Sequence, residues 1–310
     1  MNAASKKILW RSLQVVVIVL ILYFLATKLI TNWQQVVSFD WHLNFVYLIL
    51  ALFLVIGAFF LFSSVWRIII LSLDKRVGYV KSFKIAYLAN LGRYIPGKIW
   101  QMFGMIYLAK KEGITEEEAV TSFGLSQLFA IPSGLLCGLI FVAAYPSVLR
   151  QYSATPLLKT GIILAAIAIF ALSLVVVFFP RLMESFLNRL FVLFRRKTIR
   201  LRMNKSLAGA IYGGYFLAWT TYGFAFWIFL KGITVQETAV LPMAGIFVIA
   251  YQIGYLFLLA PGGVGPREAM MTIMLAPFFG PGVPAAIAIA SRIWLIIAEA
   301  VSAVLALRIK

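Results

Sequence analysis

The sequence predicts an all-α protein that crosses a membrane several times, and three observations support this prediction. The chain has 310 residues, of which 63% are hydrophobic and only 12% are charged, whereas a soluble domain carries about 25% charged residues. Apolar runs recur along the chain, and runs of about 18 residues or more can cross the hydrocarbon layer as helices. Spanning β-barrels show alternating polarity instead. A polytopic helical membrane protein is therefore expected.

Six conventional spans are expected. The first follows a basic N-terminus and continues to about Ile30; it is interpreted as an uncleaved span because its apolar part is too long for a signal peptide. The other five spans are predicted at about 44–71, 118–145, 157–179, 207–230 and 284–307. Thr115 and Glu118 have the spacing of a capping box that opens the third span, 118–145.

Two further apolar regions are interrupted by turn-forming residues. Region 82–109 contains the tract LGRYIPGKIWQ, and region 238–279 contains LAPGGVGPREAM. Proline lacks an amide hydrogen and glycine destabilises helices, so each tract should end one helix and begin another. Non-helical backbone at membrane depth is tolerated only where protein or a watery cavity surrounds it. Both regions are therefore predicted to be re-entrant helical hairpins with their tips inside the protein.

The distribution of positive charge predicts the orientation. The net charge is +18, and cytoplasmic loops of membrane proteins concentrate Lys and Arg. With both hairpins re-entrant, most basic residues fall on the cytoplasmic side, and only Lys28, Arg150, Lys159 and Lys231 fall outside. The expected location is the inner (cytoplasmic) membrane with both termini cytoplasmic, and the charge excess then needs no nucleic-acid partner.

Residues 1–310 are predicted to form one integral membrane domain with two halves. Half 1 covers about 1–145 with the hairpin 82–109, and half 2 covers about 207–310 with the hairpin 238–279. The hairpins would enter from opposite sides, so their tips could meet near the midplane. Paired broken segments in corresponding positions indicate a transporter site built from an inverted repeat.

The basic loop 180–206 joins the two halves. Its apolar residues recur at helical spacing and precede three basic residues: Leu182, Met183, Phe186, Leu187, Leu190, Phe191 and Phe194, then Arg195, Arg196 and Lys197. This pattern suits a helix that lies in the cytoplasmic interface against anionic lipid. A basic loop that only sets topology, without a specific ligand, explains the same residues at least as well.

Ionisable residues at membrane depth are costly and are functional candidates by default. They are Arg93, Lys98, Arg267, Glu268, Arg292 and Glu299. Four basic residues against two acidic ones, gathered around two helix breaks, favour an anion. Internal ion pairs are the alternative: Glu268 could pair with Arg267 or Arg292, and such pairs would hold the hairpins in place.

The helix breaks themselves have features of an anion site. Pro96 and Pro266 can each begin a half-helix, whose free amide hydrogens and positive dipole bind phosphate or carboxylate. The residues predicted to bind lipid or anion are Arg93, Pro96, Gly97, Lys98, Gly262, Gly263, Gly265 and Arg267, with the glycines allowing close backbone approach. Glu268, Arg292 and Glu299 would balance charge or couple a proton. Gln101, Gln127 and Gln252 have weaker claims as polar wall residues.

Sequence motifs for enzymatic chemistry are missing. The aspartates, Asp40 and Asp74, lie at membrane boundaries, so no DxD element exists, and no Walker A, HExxH or Gly-x-Ser-x-Gly sequence occurs. The single cysteine, Cys137, and the single histidine, His42, form no metal-ligand pattern. The sequence therefore predicts no catalytic residue, no metal and no cofactor, and a protein that is not an enzyme.

The tracts GRYIPGKIWQ, APGGVGPRE and ASRIW resemble a flippase-like integral membrane family across essentially the whole chain. That family contains the transmembrane region of lysylphosphatidylglycerol synthases (multiple peptide resistance factors), with hopanoid-transport and dolichyl-phosphate-linked relatives. The second tract is the specific one, because its glycines and Glu268 match the pattern Pro-Gly-Gly-x-Gly-x-x-Glu; in the first, Gln101 stands where many members have an acidic residue. The resemblance implies movement of a polar-headed lipid between leaflets, and without a soluble synthase domain it implies no aminoacyl transfer.

The function expected on these grounds is a lipid flippase or transporter that moves a polar-headed, anionic, phosphate-containing lipid across the cytoplasmic membrane. One alternative is a membrane enzyme or enzyme subunit that acts on a polyprenyl-phosphate-linked lipid, with Glu268 as the reacting group. Another is a non-catalytic membrane scaffold whose basic loop recruits a partner. The expected partners are anionic membrane lipids and a lipid-modifying enzyme; the sequence does not indicate an oligomeric state.

Overall fold

The computed structural model describes residues 23–95, 99–146, 150, 155–257 and 260–309. Within these ranges the chain is helical, and its β-structure is a single antiparallel bridge between Trp41 and Thr234. The helices are α1 (Trp33–Ser38), α2 (Phe45–Ser72), α3 (Tyr79–Asn90), α4 (Trp100–Lys110), α5 (Glu116–Ala143), α6 (Pro156–Phe178), α7 (Pro180–Leu193), α8 (Lys205–Ile233), α9 (Val240–Leu256), α10 (Pro266–Leu275) and α11 (Val283–Arg308). The prediction of an all-α polytopic membrane protein is confirmed.

Five helices in the described ranges are long and apolar enough to cross a membrane, namely α2, α5, α6, α8 and α11. They coincide with the five predicted spans, and their ends differ from the predicted ends by at most three residues. The predicted first span lies mostly outside the described residues; residues 23–31, at its end, are helical.

Polar side chains begin several of the spans. Thr115 Oγ1 accepts a hydrogen bond from Glu118 N (3.3 Å), and the Glu118 carboxylate accepts one from Thr115 N (2.8 Å), which forms the predicted capping box of α5. Asn44 accepts from two amides at the start of α2, and Asn204 accepts from one at the start of α8. These bonds satisfy amide hydrogens that have no partner within the helix.

The first interrupted region folds back on itself. α3 and α4 have 12 and 11 residues, so at 1.5 Å per residue each is about 16–18 Å long, too short to cross about 30 Å of hydrocarbon. A 3₁₀ turn over Leu91–Tyr94 follows α3. Gly104 of α4 packs on Ala89 of α3, and Gln101 Nε2 donates to Asn90 Oδ1 (2.5 Å). We call this unit the first hairpin.

The second interrupted region has the same form. α9 has 17 residues and α10 only 10, with a 3₁₀ turn over Pro261–Gly263 between them. Gly254 of α9 packs on Arg267 of α10, which brings the two arms together beside the turn. We call this unit the second hairpin.

Ion pairs gather the basic loops at one end of the molecule. Lys81 and Glu112 pair across the two ends of the first hairpin (3.0 Å), and Lys84 Nζ donates to Ile309 O near the C-terminus (2.6 Å). Arg202 of the loop 180–206 pairs with Asp74 beside the first hairpin. The first hairpin therefore begins and ends at the same end of the molecule.

The second hairpin begins and ends at the opposite end. Gln236 Nε2, shortly before α9, donates to Phe278 O, shortly after α10 (2.7 Å). The ends of α2 and α8 meet there as well, through Asn44 N and Gly232 O (2.9 Å). The hairpins thus enter from opposite ends, and their two 3₁₀ turns contact each other. The inverted repeat and the half boundaries stay predictions.

The basic loop contains the helix expected from its apolar spacing. In α7, Met183 and Phe191 are buried, while Leu182, Phe186 and Leu190 are exposed. Asn188 holds the following segment through two hydrogen bonds to Ile199 (2.8 and 2.9 Å). The placement of α7 in the lipid interface stays a prediction.

Candidate functional site

Arg93 ties the tip of the first hairpin to the last helix. Its guanidinium forms an ion pair with Glu299 of α11, and its Nη1 donates to the Tyr251 hydroxyl of α9 (2.7 Å). Tyr94 Oη donates to the other oxygen of Glu299 (2.5 Å). The Arg93 and Glu299 side chains are both buried, so this tip is held by charged and polar bonds away from solvent.

Glu268 organises the tip of the second hairpin. It lies in the first turn of α10 and accepts hydrogen bonds from Gly265 N (2.7 Å) and Arg267 Nη1 (3.2 Å). Arg292 of α11 also reaches Glu268 (3.5 Å) and donates to the carbonyl oxygen of Gly262 (3.2 and 3.3 Å). One carboxylate therefore joins the turn, α10 and α11.

The start of α10 was predicted to bind an anion, and the structure differs from this prediction. Pro266 is the first residue of α10, as predicted. However, the carboxylate of Glu268 reaches back to Gly265 N in the manner of a capping residue. An internal carboxylate thus occupies the favourable position beside the positive end of the helix that was expected to receive a ligand.

The glycines of the second tip allow other groups of the protein to approach the backbone closely. Gly262, Gly263 and Gly265 have φ of 59°, 67° and 96°, a region that side-chain-bearing residues rarely adopt. A Cβ on Gly262 would lie 2.6 Å from the Tyr94 ring, and one on Gly263 would lie 2.7 Å from Gly254 O. Close approach was predicted for a ligand, but the approaching groups belong to the protein. At Gly262 the neighbour is Tyr94 of the first tip, and at Gly263 it is Gly254 in an arm of the same hairpin.

The remaining predicted residues of the first tip, Pro96, Gly97 and Lys98, lie outside the described residues. Of the charged candidates that are described, Arg93, Arg267 and Arg292 each have a carboxylate partner. This is the ion-pair arrangement that the sequence left open. It brings all five described charged candidates together, with one more arginine than glutamate among them.

Two of these arginines keep an unused donor. Arg93 Nε and Arg267 Nε are buried and have no hydrogen-bond partner within the described part of the chain. Both side chains line a small void between the tips, together with Tyr251, Tyr255 and the turn glycines. About 10 Å³ of it can be entered by a water-sized sphere, which is enough for about one oxygen atom of water or of an anion.

A larger, partly open cavity lies beside these tips. About 150 Å³ of it can be entered by a water-sized sphere. Among the described residues its walls are uncharged and largely aromatic: Phe59, Phe62, Ser63, Trp66, Ala86, Tyr87, Ala89, Asn90, Gln101, Met105, Phe123, Ser126, Gln127, Ala130, Ile131, Tyr215, Trp219, Tyr222, Tyr251, Gln252 and Tyr255. Concave sites with few polar groups among apolar walls are the usual form of a ligand pocket.

The three glutamines named from the sequence as polar wall candidates all line this cavity. Gln252 donates to the carbonyl oxygens of Ala130 and Ile131 (3.2 and 3.4 Å). Gln101 accepts from the Tyr255 hydroxyl (3.3 Å). None of the described charged candidates lines the cavity, so the weaker sequence candidates contribute to its polar wall instead.

The aromatic wall was missed by sequence reasoning. Tyr215, Trp219 and Tyr222 recur at helical spacing on α8, and Tyr251 and Tyr255 lie one turn apart on α9. That spacing of hydroxyl-bearing aromatics within apolar spans is the signal that could have revealed the wall. Tyr251 and Tyr255 line both the cavity and the small void, so the two spaces adjoin at these residues.

Comparison with known protein families identifies the family of this chain. A profile of the family described as the lysylphosphatidylglycerol synthase TM region matches residues 11–302, nearly the whole chain. Comparison with curated proteins gives no significant match. The family expected from the GRYIPGKIWQ, APGGVGPRE and ASRIW tracts is thus confirmed. The chain is a multi-pass membrane protein of the lysylphosphatidylglycerol synthase transmembrane-region family, a family whose description relates it to lipid handling.

Proposed function

We propose that this protein is a lipid flippase that moves a polar-headed, phosphate-containing lipid between the leaflets of the cytoplasmic membrane. The observation that carries the proposal is the joint position of the two spaces at the hairpin tips. A void lined by Arg93 and Arg267 adjoins a cavity that is bounded by spanning helices and whose described lining residues are uncharged. The lipid phosphate would approach the arginines, and the rest of the headgroup would occupy the cavity.

The charges at the tips support an anionic group. Among the described residues, three arginines and two glutamates from the tips and α11 meet here. Arg93 Nε and Arg267 Nε also lack partners there. A buried donor without an acceptor is unfavourable by about 1–3 kcal/mol. A phosphate oxygen would both accept such a hydrogen bond and offset the excess charge.

The predicted orientation belongs to the same proposal. The loops that carry most basic residues and the described C-terminal end share one end of the molecule, where their side chains pair with Glu112, Glu116 and Asp74. Because Lys and Arg concentrate on the cytoplasmic side, we assign this end to the cytoplasm. A lipid-modifying enzyme remains a proposed partner on this side.

The decisive experiment is lipid transport by the purified full chain in proteoliposomes. A tail-labelled phosphatidylglycerol should become accessible to an impermeant quencher faster than in protein-free liposomes. Arg292→Gln removes the excess charge from the least buried of the three arginines. It should slow transport by about tenfold, which corresponds to about 1.4 kcal/mol less attraction between the tips and the phosphate.

Arg308→Gln is the matched control, because it removes a charge from the last turn of the same helix, far from the tips in sequence. It should leave the rate within about twofold of the unmodified protein, since exposed charges contribute little. Rates equal to those of protein-free liposomes for every lipid class would overturn the proposal.

We also propose that the protein has no catalytic activity of its own. The reacting group of the enzyme alternative, Glu268, is engaged by Gly265, Arg267 and Arg292. If Glu268→Gln kept lipid binding but abolished formation of a lipid product, the enzyme alternative would hold. If neutralising the basic residues between 181 and 205 mattered more than changing the tips, the scaffold alternative would hold.

A further inference from the structure

We propose that the larger cavity binds an uncharged, polyhydroxylated ring, such as a sugar, in the headgroup of the transported lipid. This inference rests on the proposed function and names the substrate class. It follows from three properties of the described residues in the cavity wall: their aromatic surface, their unsatisfied neutral polar groups and their lack of charge.

A continuous aromatic surface forms one side of the cavity. The rings of Phe62 and Trp219 meet edge to face with centroids 4.7 Å apart, and Trp219, Tyr222 and Tyr251 follow at 5.2–5.9 Å from one another. Sugar rings have an apolar C–H face and a hydroxylated edge. A wall of Tyr and Trp matches this division, because each side chain has an apolar body and a polar tip.

Neutral hydrogen-bonding groups in the wall remain unpaired. The hydroxyl of Tyr222 is buried and has no partner among the described atoms. The amide of Gln127 makes no hydrogen bond with the described residues, although other amides of the wall, such as Gln101 and Gln252, do. Amides and hydroxyls both donate and accept, as sugar hydroxyls do, so the two sets of groups are complementary.

The electrostatics disfavour a cationic headgroup. None of the described residues that line the cavity is a carboxylate, and the adjacent tips carry an excess of positive charge. Cation–π contacts contribute about 0.5–2 kcal/mol, whereas removing an ion from water costs several kcal/mol unless a partner is present. An aminoacylated or choline headgroup would therefore be bound less well than an uncharged ring.

The larger cavity and the adjoining small void together fit a ring joined to a phosphate. At roughly 15 Å³ for each water-sized position, the cavity holds about ten such positions, comparable with a hexose ring. Tyr251 contributes to the aromatic wall and also accepts a hydrogen bond from Arg93. A ring against Tyr251 would therefore place its phosphate toward the arginines of the tips.

The experiment compares tail-labelled lipids that share one phosphate and one pair of acyl chains. Phosphatidylinositol supplies the polyhydroxylated ring, and phosphatidylglycerol, phosphatidylcholine and lysylphosphatidylglycerol supply smaller or cationic headgroups. Proteoliposomes of the full chain should move phosphatidylinositol about tenfold faster than phosphatidylcholine, the effect of one or two hydrogen bonds of about 1 kcal/mol each.

Two variants distinguish the loss of a contact in the cavity from a general effect of replacing Gln by Leu. Gln127→Leu should slow phosphatidylinositol transport by about tenfold and phosphatidylglycerol transport by clearly less, because the polyhydroxylated ring offers this amide more hydroxyl groups than glycerol does. Gln34→Leu makes the same change at an exposed position of α1 and should alter neither rate. Equal slowing of all lipids by Gln127→Leu, or cationic lipids moved as fast as phosphatidylinositol, would overturn the inference.

Binding provides a readout that does not depend on transport. Trp66 and Trp219 line the cavity, so short-chain phosphatidylinositol should change the tryptophan fluorescence of the protein in a sugar-free detergent, and Gln127→Leu should weaken this binding. Ring binding without transport of any lipid would overturn the proposed function and leave the cavity assignment standing. Transport without preferential ring binding would overturn the cavity assignment alone.

Discussion

Arg93 in the turn of the first hairpin and Glu299 in the last helix are ion-pair partners although they lie 206 positions apart in the chain. Both side chains are almost completely buried. A buried ion pair adds little net stability, but removing one partner leaves an uncompensated charge in a medium that solvates it poorly. The pair therefore makes the position of the first tip dependent on α11.

Replacing Glu299 by Gln should lower the free energy of unfolding by roughly 3 kcal/mol or more, because Arg93 then lacks a counterion. Thermal unfolding of the purified protein measures this loss. Glu116→Gln is the matched control, since Glu116 pairs with Lys110 and Arg196 at an exposed position, where an ion pair contributes less than about 1 kcal/mol. Similar losses in the two variants would contradict the prediction.

The variant Tyr94→Phe tests how much the hydroxyl of this residue contributes to stability apart from its ring. The variant loses the hydrogen bond to Glu299 (2.5 Å) but keeps the ring beside Gly262. The expected cost is about 1.5–3 kcal/mol, the range for a hydrogen bond to a charged group, measured by thermal unfolding. Tyr107→Phe, at an exposed position of α4, is the control and should be nearly neutral. A loss as large in the control would refute the role of the hydroxyl.

Gly254→Ala and Gly124→Ala should have opposite effects on stability. A Cβ on Gly254 would lie 2.6 Å from Arg267 Cβ, whereas one on Gly124 of α5 would meet nothing within 4 Å. Overpacking typically costs about 1–3 kcal/mol, while alanine in a helix is favoured over glycine by up to about 1 kcal/mol. Thermal unfolding compares the two variants, and a stabilising Gly254→Ala would show that the arms of the second hairpin are not closely packed.

The helix α7 and the basic residues after it provide a test of lipid contact. Arg195 and Lys197 are exposed beside the exposed apolar side chains of α7. We expect the unfolding free energy to be higher in anionic than in zwitterionic lipid. Replacing both residues by Gln should reduce this difference by about 1 kcal/mol per charge. Thermal unfolding in nanodiscs of the two compositions measures this difference. Lys159→Gln, exposed at the predicted outer end of α6, should leave it unchanged, and an equal effect there would contradict the prediction.

Much of the fold follows from local sequence. A span is set by the length of an apolar run, and its start is marked by polar residues such as Thr115 and Asn204, so the five described spans agree closely with the predicted ones. The two hairpins follow from prolines and glycines, which interrupt a helix wherever they cluster. These signals need no knowledge of distant contacts.

The partners within the site depend on distant contacts and were harder to predict. The pairs of Glu268 with Arg267 and Arg292 were among the alternatives drawn from the sequence, whereas the pair of Glu299 with Arg93 was not. Those pairings depend on how the two tips pack against α11. The cavity escaped prediction for the same reason, because its wall is assembled from residues such as Phe62, Gln127 and Tyr222 on three separate spans.

The contact between the two tips has a consequence for the speed of transport. Tyr94 covers Gly262, and both tips are bonded to α11 through Glu299 and Arg292. A headgroup that passes between the tips must move Tyr94 away from Gly262 and disturb the hydrogen bonds that hold the buried Arg93–Glu299 pair. The crossing rate should therefore rise steeply with temperature, and the barrier should lie in parting the tips more than in the movement of the lipid through the surrounding bilayer.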